Sequence, residues 1–175
     1  MEKGLIQIYT GNGKGKTTAA VGLSVRAIGR GFNVYMIQFL KDRDTGELHT
    51  LSHFDNFKVF RFKSSKKFFW QMNDEEKDLL KKQLKEAYEF IVDVLKNNKC
   101  DLLVLDEIMG VLHNNLYSID DIIKLMDMKP EGMEMVMTGR NAPEELIERA
   151  DLVTEMKLIK HPYEKGIKSR CGIEF

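Results

Sequence analysis

TGNGKGKTT, residues 10–18, is the stretch on which the reading of this chain turns. It follows a short apolar run with Leu5, Ile6, Ile8 and Tyr9 and precedes a helical pattern, the strand, turn and helix setting that a phosphate-binding loop needs. Gly11, Gly13 and Gly15 can take backbone angles closed to other residues. That leaves room for phosphate and lets successive N–H groups converge on its oxygens at the helix start. Lys16 adds a point charge to those oxygens, and the Thr17 hydroxyl is placed to ligate Mg²⁺. With Asn12, Lys14 and Thr18 these residues make up the candidate nucleotide-binding loop. One position departs from the usual pattern: Thr10 stands where the first glycine of GxxxxGK belongs.

Working outward, the chain has 175 residues, 43% of them hydrophobic, enough for one domain with a substantial core and too few for two ordinary ones. We therefore expect a single domain over residues 1–175. Lys+Arg and Asp+Glu both number 27, so no basic excess points to nucleic acid or to a membrane surface, and a small-molecule partner is expected. Cys100 and Cys171 show no metal-ligand or CxxC spacing, which suits a reducing compartment, and no apolar run approaches the roughly 18 residues of a membrane span. A cytoplasmic protein is expected. His49, His53, His113 and His161 show no ligand spacing, and no transition-metal site is expected from them.

Near-continuous apolar runs at residues 4–9, 33–40, 101–106 and 133–138 predict strands buried on both faces of a parallel sheet. Residues 57–62 (FKVFRF) alternate apolar and basic, the pattern of a half-exposed strand, and residues 152–159 look extended. Helices are predicted over 17–30, 73–97 and 143–149, with two shorter ones inside 108–128. Asn73 with Glu76 opens the longest as a variant capping box, and Ser118 caps one of the short ones. The fold class that follows is α/β: a P-loop NTPase-like domain with a mostly parallel β-sheet and helices on both faces.

Ligands of such a sheet bind at the carboxyl ends of its strands. Asp106 and Glu107 end one strand, where a carboxylate orients Mg²⁺ directly or through water. Lys41, after another, either faces phosphate or sits exposed in a polar loop. Arg140, after a third, is a candidate phosphate contact. The run NKCD at residues 98–101 spells a guanine-reading pattern, but it precedes the acidic strand and so lies at the wrong edge of the sheet. Phe68, Phe69 and Trp70 are adjacent; they either anchor the following helix or cover something flat. The loop and acids alone would equally serve a small ATPase or kinase, with Glu107 positioning water, or a protein that binds ATP without consuming it.

Several segments together resemble one family, the phosphate-loop ATP:corrinoid adenosyltransferases. They are GNGKGKTTAA at 11–20, IQFLK at 37–41, FFWQ at 68–71, LLVLDE at 102–107, TGRNAP at 138–143, ADLVTEM at 150–156 and KHPYEKGIKSRCGIEF at the end. The resemblance implies transfer of the 5′-deoxyadenosyl group of ATP to the cobalt of a reduced corrinoid, cob(I)alamin or a precursor, with release of triphosphate. It implies a nucleotide bound in reverse relative to ordinary phosphate-loop enzymes, leaving the 5′ carbon open to the corrinoid. Lys16 and Mg²⁺ would hold the triphosphate, with Thr17 and Asp106 or Glu107 as metal ligands. Phe68 and Trp70 match a Phe-any-Trp pattern that displaces the lower ligand of cobalt. The resemblance further implies a homodimer and a reduced flavoprotein as electron donor.

Overall fold

The structure, a computed structural model, describes residues 2–41, 44–62 and 69–175. Six strands form one sheet: β1 (Ile6–Thr10), β2 (Val34–Gln38), β3 (Phe57–Arg61), β4 (Leu102–Asp106), β5 (Glu134–Thr138) and β6 (Leu152–Glu155). Their order is β3-β2-β4-β5-β1-β6, and every pairing is parallel. The helices are α1 (Lys16–Ile28), α2 (Gly46–Leu51), α3 (Asp74–Lys96), α4 (Ile108–His113), α5 (Ile119–Asp127) and α6 (Glu144–Arg149). Because all strands run the same way, Thr10, Gln38, Arg61, Asp106, Thr138 and Glu155 end on one edge of the sheet, and the site is built there.

Successive residues of a strand point to opposite faces, and β4 serves both. Leu102 and Val104 pack with Ala20 and Ile28 of α1 and Leu51 of α2; Leu103 and Leu105 pack with Leu84 and Ile91 of α3, Ile108 of α4 and Ile122 of α5. All five residues of β4 are buried. Full burial of one such side chain contributes about 1.5–3 kcal/mol, so this central strand fixes Asp106 to a rigid base.

The sheet edges carry the weaker signals. β3 pairs only with β2 and is mostly half-buried, as its apolar and basic alternation predicts. β6 is exposed along its length and is shorter than the extended stretch expected, ending at Glu155. The six-residue α2 falls in a stretch to which the sequence assigns no element. With only Leu51 buried it presents no periodic face to read. Pro143 stands just outside α6 in extended backbone rather than inside its first turn. The expected capping box is present: Glu76 N–H donates to Asn73 Oδ1 at 2.8 Å and Asn73 N–H to Glu76 Oε2 at 3.0 Å. Ser118, expected as a cap, forms a second box with Asp121. Asp101 of the NKCD run lies at the start of β4, where Asn33 N–H donates to it at 2.8 Å, at the far edge from Asp106. No helix among the described residues is long and apolar enough to cross a membrane.

Candidate active site

The loop after β1 enters α1 through Gly15, whose φ of 120° is open to glycine and closed to nearly all other residues. Lys16 opens the helix. Its Nζ is buried against the loop, donating to the carbonyls of Gly11 and Gly13 at 2.7 Å each. Burial lowers the Lys16 pKa below the ordinary lysine value; Glu107 opposes the shift and nearby Arg140 adds to it. Both charged neighbours are residues that the sequence places at this edge.

Asp106 is fully buried and collects four donors, which is how a buried carboxylate is tolerated. Thr17 Oγ1 and Thr138 Oγ1 donate to its Oδ1 at 2.8 and 2.7 Å. Lys41 Nζ and Gln38 Nε2 donate to its Oδ2 at 2.5 and 3.4 Å. Lys41 reaches back because Phe39 N–H still bonds to the Asp106 carbonyl at 3.0 Å, after which Leu40 takes a left-handed φ of 54°. Of the two positions left open for Lys41, an exposed surface lysine is excluded: it is an ion-paired, three-quarters buried member of the cluster. Glu107 follows in left-handed backbone, φ 63°, with its N–H on Thr138 Oγ1 at 2.9 Å, and it lines the cleft rather than joining Thr17.

Among the described residues no group of three or more His, Cys, Asp or Glu gathers around a point. A hydroxyl and a carboxylate 2.8 Å apart are nevertheless hard oxygen donors of the kind Mg²⁺ takes when phosphate oxygens and water complete its shell. The donor set fits that ion.

Asn12, Gly13, Lys14, Gly15, Lys16, Thr17 and Thr18 line one side of a cleft of about 1420 Å³, which Lys41, Glu107 and Arg140 also face. The volume exceeds the roughly 300–1,000 Å³ of ordinary small-ligand pockets. Its other wall comes from the chain's end, including Tyr163, Ile173, Glu174 and Phe175. Neither Phe69 nor Trp70 lines this cleft. Both lie in a 3₁₀ turn, Phe69–Gln71, where Phe69 packs on the core and Trp70 is 73% exposed. Phe68 lies outside the described residues.

Sequence reasoning did not single out Thr138, Gln38, Met156 or Glu174. Thr138 and Gln38 sit inside the quoted segments TGRNAP and IQFLK, where a polar residue at the end of a buried strand is the available signal. Met156 follows β6 and clamps the loop: Gly13 N–H donates to its carbonyl at 2.6 Å and its own N–H to Thr10 O at 2.8 Å. No residue-type pattern announces a backbone contact.

An open parallel sheet with a glycine-rich loop leading into the first helix, and a buried acid facing that helix start, defines an α/β protein of the P-loop NTPase-like fold class. A solved flagellar accessory protein FlaH from Methanocaldococcus jannaschii shares the fold, with a TM-score of 0.56 over 89% of this chain and 72% of that one at 11% identity. The profile of the family described as ATP:corrinoid adenosyltransferase BtuR/CobO/CobP matches residues 2–175, and the chain belongs to that family. Proteins named corrinoid adenosyltransferase are similar over 99% of the chain: one from Sinorhizobium sp at 38% identity, covering 81% of its length, and one from Pseudomonas aeruginosa at 34%, covering 85%. A third, from Escherichia coli K12, is 31% identical over 87% of its length.

Proposed function

We infer that the chain transfers the 5′-deoxyadenosyl group of ATP to the cobalt of a reduced corrinoid. A cobalt–carbon bond forms, the bond from C5′ to the triphosphate oxygen breaks, and inorganic triphosphate leaves. The observation that carries the reading is the family match along residues 2–175, the same span that assembles loop, acid and basic residues around one cleft.

Reduced corrinoid is itself a strong nucleophile, so the protein's task is positioning and charge neutralisation. In our proposal the loop N–H groups other than that of Gly13, which the Met156 carbonyl occupies, and the Lys16 ammonium hold the triphosphate, while Lys41 and Arg140 face its outer oxygens. Thr17 and Asp106 would hold Mg²⁺, which when bound offsets charge on the leaving group, and Glu107 would act from the cleft wall. Phe68 and Trp70 would exclude water beside cobalt and displace its lower ligand. We further propose that residues 1–175 act as one domain, in a cytoplasmic homodimer supplied with electrons by a reduced flavoprotein; this rests on family membership.

The test is anaerobic incubation with Mg·ATP and chemically reduced cobalamin, following the corrinoid spectrum and separating the phosphates. A light-sensitive adenosyl-corrinoid with equimolar triphosphate is expected. ADP with an unchanged corrinoid would instead identify a phosphoryl-transfer enzyme.

A further inference from the structure

Lys41 Nζ lies 3.0 Å from Thr17 Oγ1 and 2.5 Å from Asp106 Oδ2, between the same two side chains whose oxygens suit Mg²⁺. An ammonium and a divalent ion cannot both take this place, since each needs those oxygens and the two cations repel at contact distance. Asp106 is fully buried, so it requires one cation or the other: a buried carboxylate stripped of its partner is strongly destabilising. The lysine can leave without being expelled into water. Its side chain is 24% exposed, it lines the cleft shared with the phosphate loop, and its stem is long and flexible.

We propose that Lys41 is an exchangeable counter-ion of Asp106 that makes metal binding conditional on nucleotide. Free metal must displace the ammonium with nothing to receive it. Metal arriving with a polyphosphate brings both the missing oxygen ligands and a new anion for Lys41, so the ammonium moves from carboxylate to phosphate as the metal takes Asp106. The exchange makes the site selective for the metal–polyphosphate complex over either component. This inference rests on the reading that Thr17 and Asp106 hold the metal.

The experiment is Mn²⁺ binding without nucleotide, followed by loss of the free-ion EPR signal, and, because ATP itself chelates Mn²⁺, binding of Mn·ATP to the protein followed by equilibrium dialysis, on wild type, Lys41→Met, Lys41→Gln and Asp106→Asn. Wild type should bind Mn²⁺ weakly alone and tightly with ATP. Lys41→Met and Lys41→Gln should bind Mn²⁺ alone more tightly than wild type by about tenfold or more, a shift of about 1.4 kcal/mol, and adding Asp106→Asn should abolish that gain. Lys41→Gln keeps a hydrogen-bond donor beside Asp106 and serves if the methionine variant does not fold. Nucleotide-free Mn²⁺ affinities equal to wild type in the folded Lys41 variants would overturn the exchange. If Asp106→Asn still weakens binding of Mn·ATP, the metal reading stands without it; if Mn·ATP binding is untouched by Asp106→Asn, the metal reading fails and takes the exchange with it.

Discussion

Lys14 Nζ lies 2.9 Å from Glu174 Oε1 and donates to the Ile173 carbonyl at 3.1 Å, tying the phosphate loop to a residue 160 positions later. Arg170 grips the same carboxylate with its guanidinium and, at 2.7 Å, its backbone N–H. The tail thus closes one side of the cleft by charge rather than by apolar burial, since most of its side chains are exposed.

These contacts hold the Glu174 carboxyl well down, to about 2 from an ordinary 4.5, chiefly through the Arg170 side chain, then its N–H, then Lys14. A pKa depressed by folding contributes stability that is complete above the ordinary value and lost as pH falls through the folded one. The tail should therefore stay strapped at neutral pH and loosen between pH 4.5 and about 2. A carboxyl-carbon NMR titration should place the Glu174 midpoint near 2; a midpoint near 4.5 would mean that the strap does not persist in solution.

Gly13→Ala tests what the loop glycines are for. A Cβ at Gly13 would meet the Met156 carbonyl at 2.6 Å, the atom to which the Gly13 N–H donates. Overpacking of this kind costs about 1–3 kcal/mol. The variant should melt several degrees lower in calorimetry without any nucleotide. An unchanged melting temperature with weakened ATP binding would assign Gly13 to phosphate alone.

That contact marks the boundary of what the sequence can say. The parallel sheet is legible because each inner strand carries a near-continuous apolar run, as LLVLD does in β4, and the loop is legible because glycine, lysine and threonine must stand at fixed spacing. Asp106 is legible as an acid ending such a strand. Its partners are not: Thr138 ends β5, whereas Gln38 ends β2 and Lys41 follows it, so they meet around Asp106 only through sheet order, and the Met156 clamp and Glu174 strap span more than 140 positions. Neither composition nor periodicity encodes a pairing at that distance.

Phe69 and Trp70 should separate structure from function. Phe69 packs on the core with Lys77 Nζ 5.9 Å from its ring centre, whereas Trp70 is largely exposed. Phe69→Ala should lose about 1–3 kcal/mol in denaturant unfolding, and Trp70→Ala should stay within about 0.5 kcal/mol of wild type. If Trp70 acts on the cobalt's lower ligand, Trp70→Ala will depress adenosylation from Co(II) far more than from chemically generated Co(I). Equal losses from both would remove that role.

Thr138 carries two jobs on one oxygen: it donates to Asp106 Oδ1 at 2.7 Å and accepts the Glu107 N–H at 2.9 Å. The second bond matters because Glu107 sits at φ 63°, a left-handed conformation that a non-glycine residue holds at a cost of about 1–3 kcal/mol. Thr138→Val keeps the shape and removes both bonds, leaving a carboxylate short of a donor and a backbone N–H without its acceptor. Stability should fall by about 1–3 kcal/mol. The Asp106 carboxylate, freed on one side, should also orient less well toward Thr17, lowering kcat more than it raises the KM for ATP. Thr138→Ser retains the hydroxyl and should keep both the unfolding midpoint and kcat close to wild type. Serine and valine variants that behave alike would show that the methyl group, not the bridge from Asp106 to Glu107, is what the fold uses at this position.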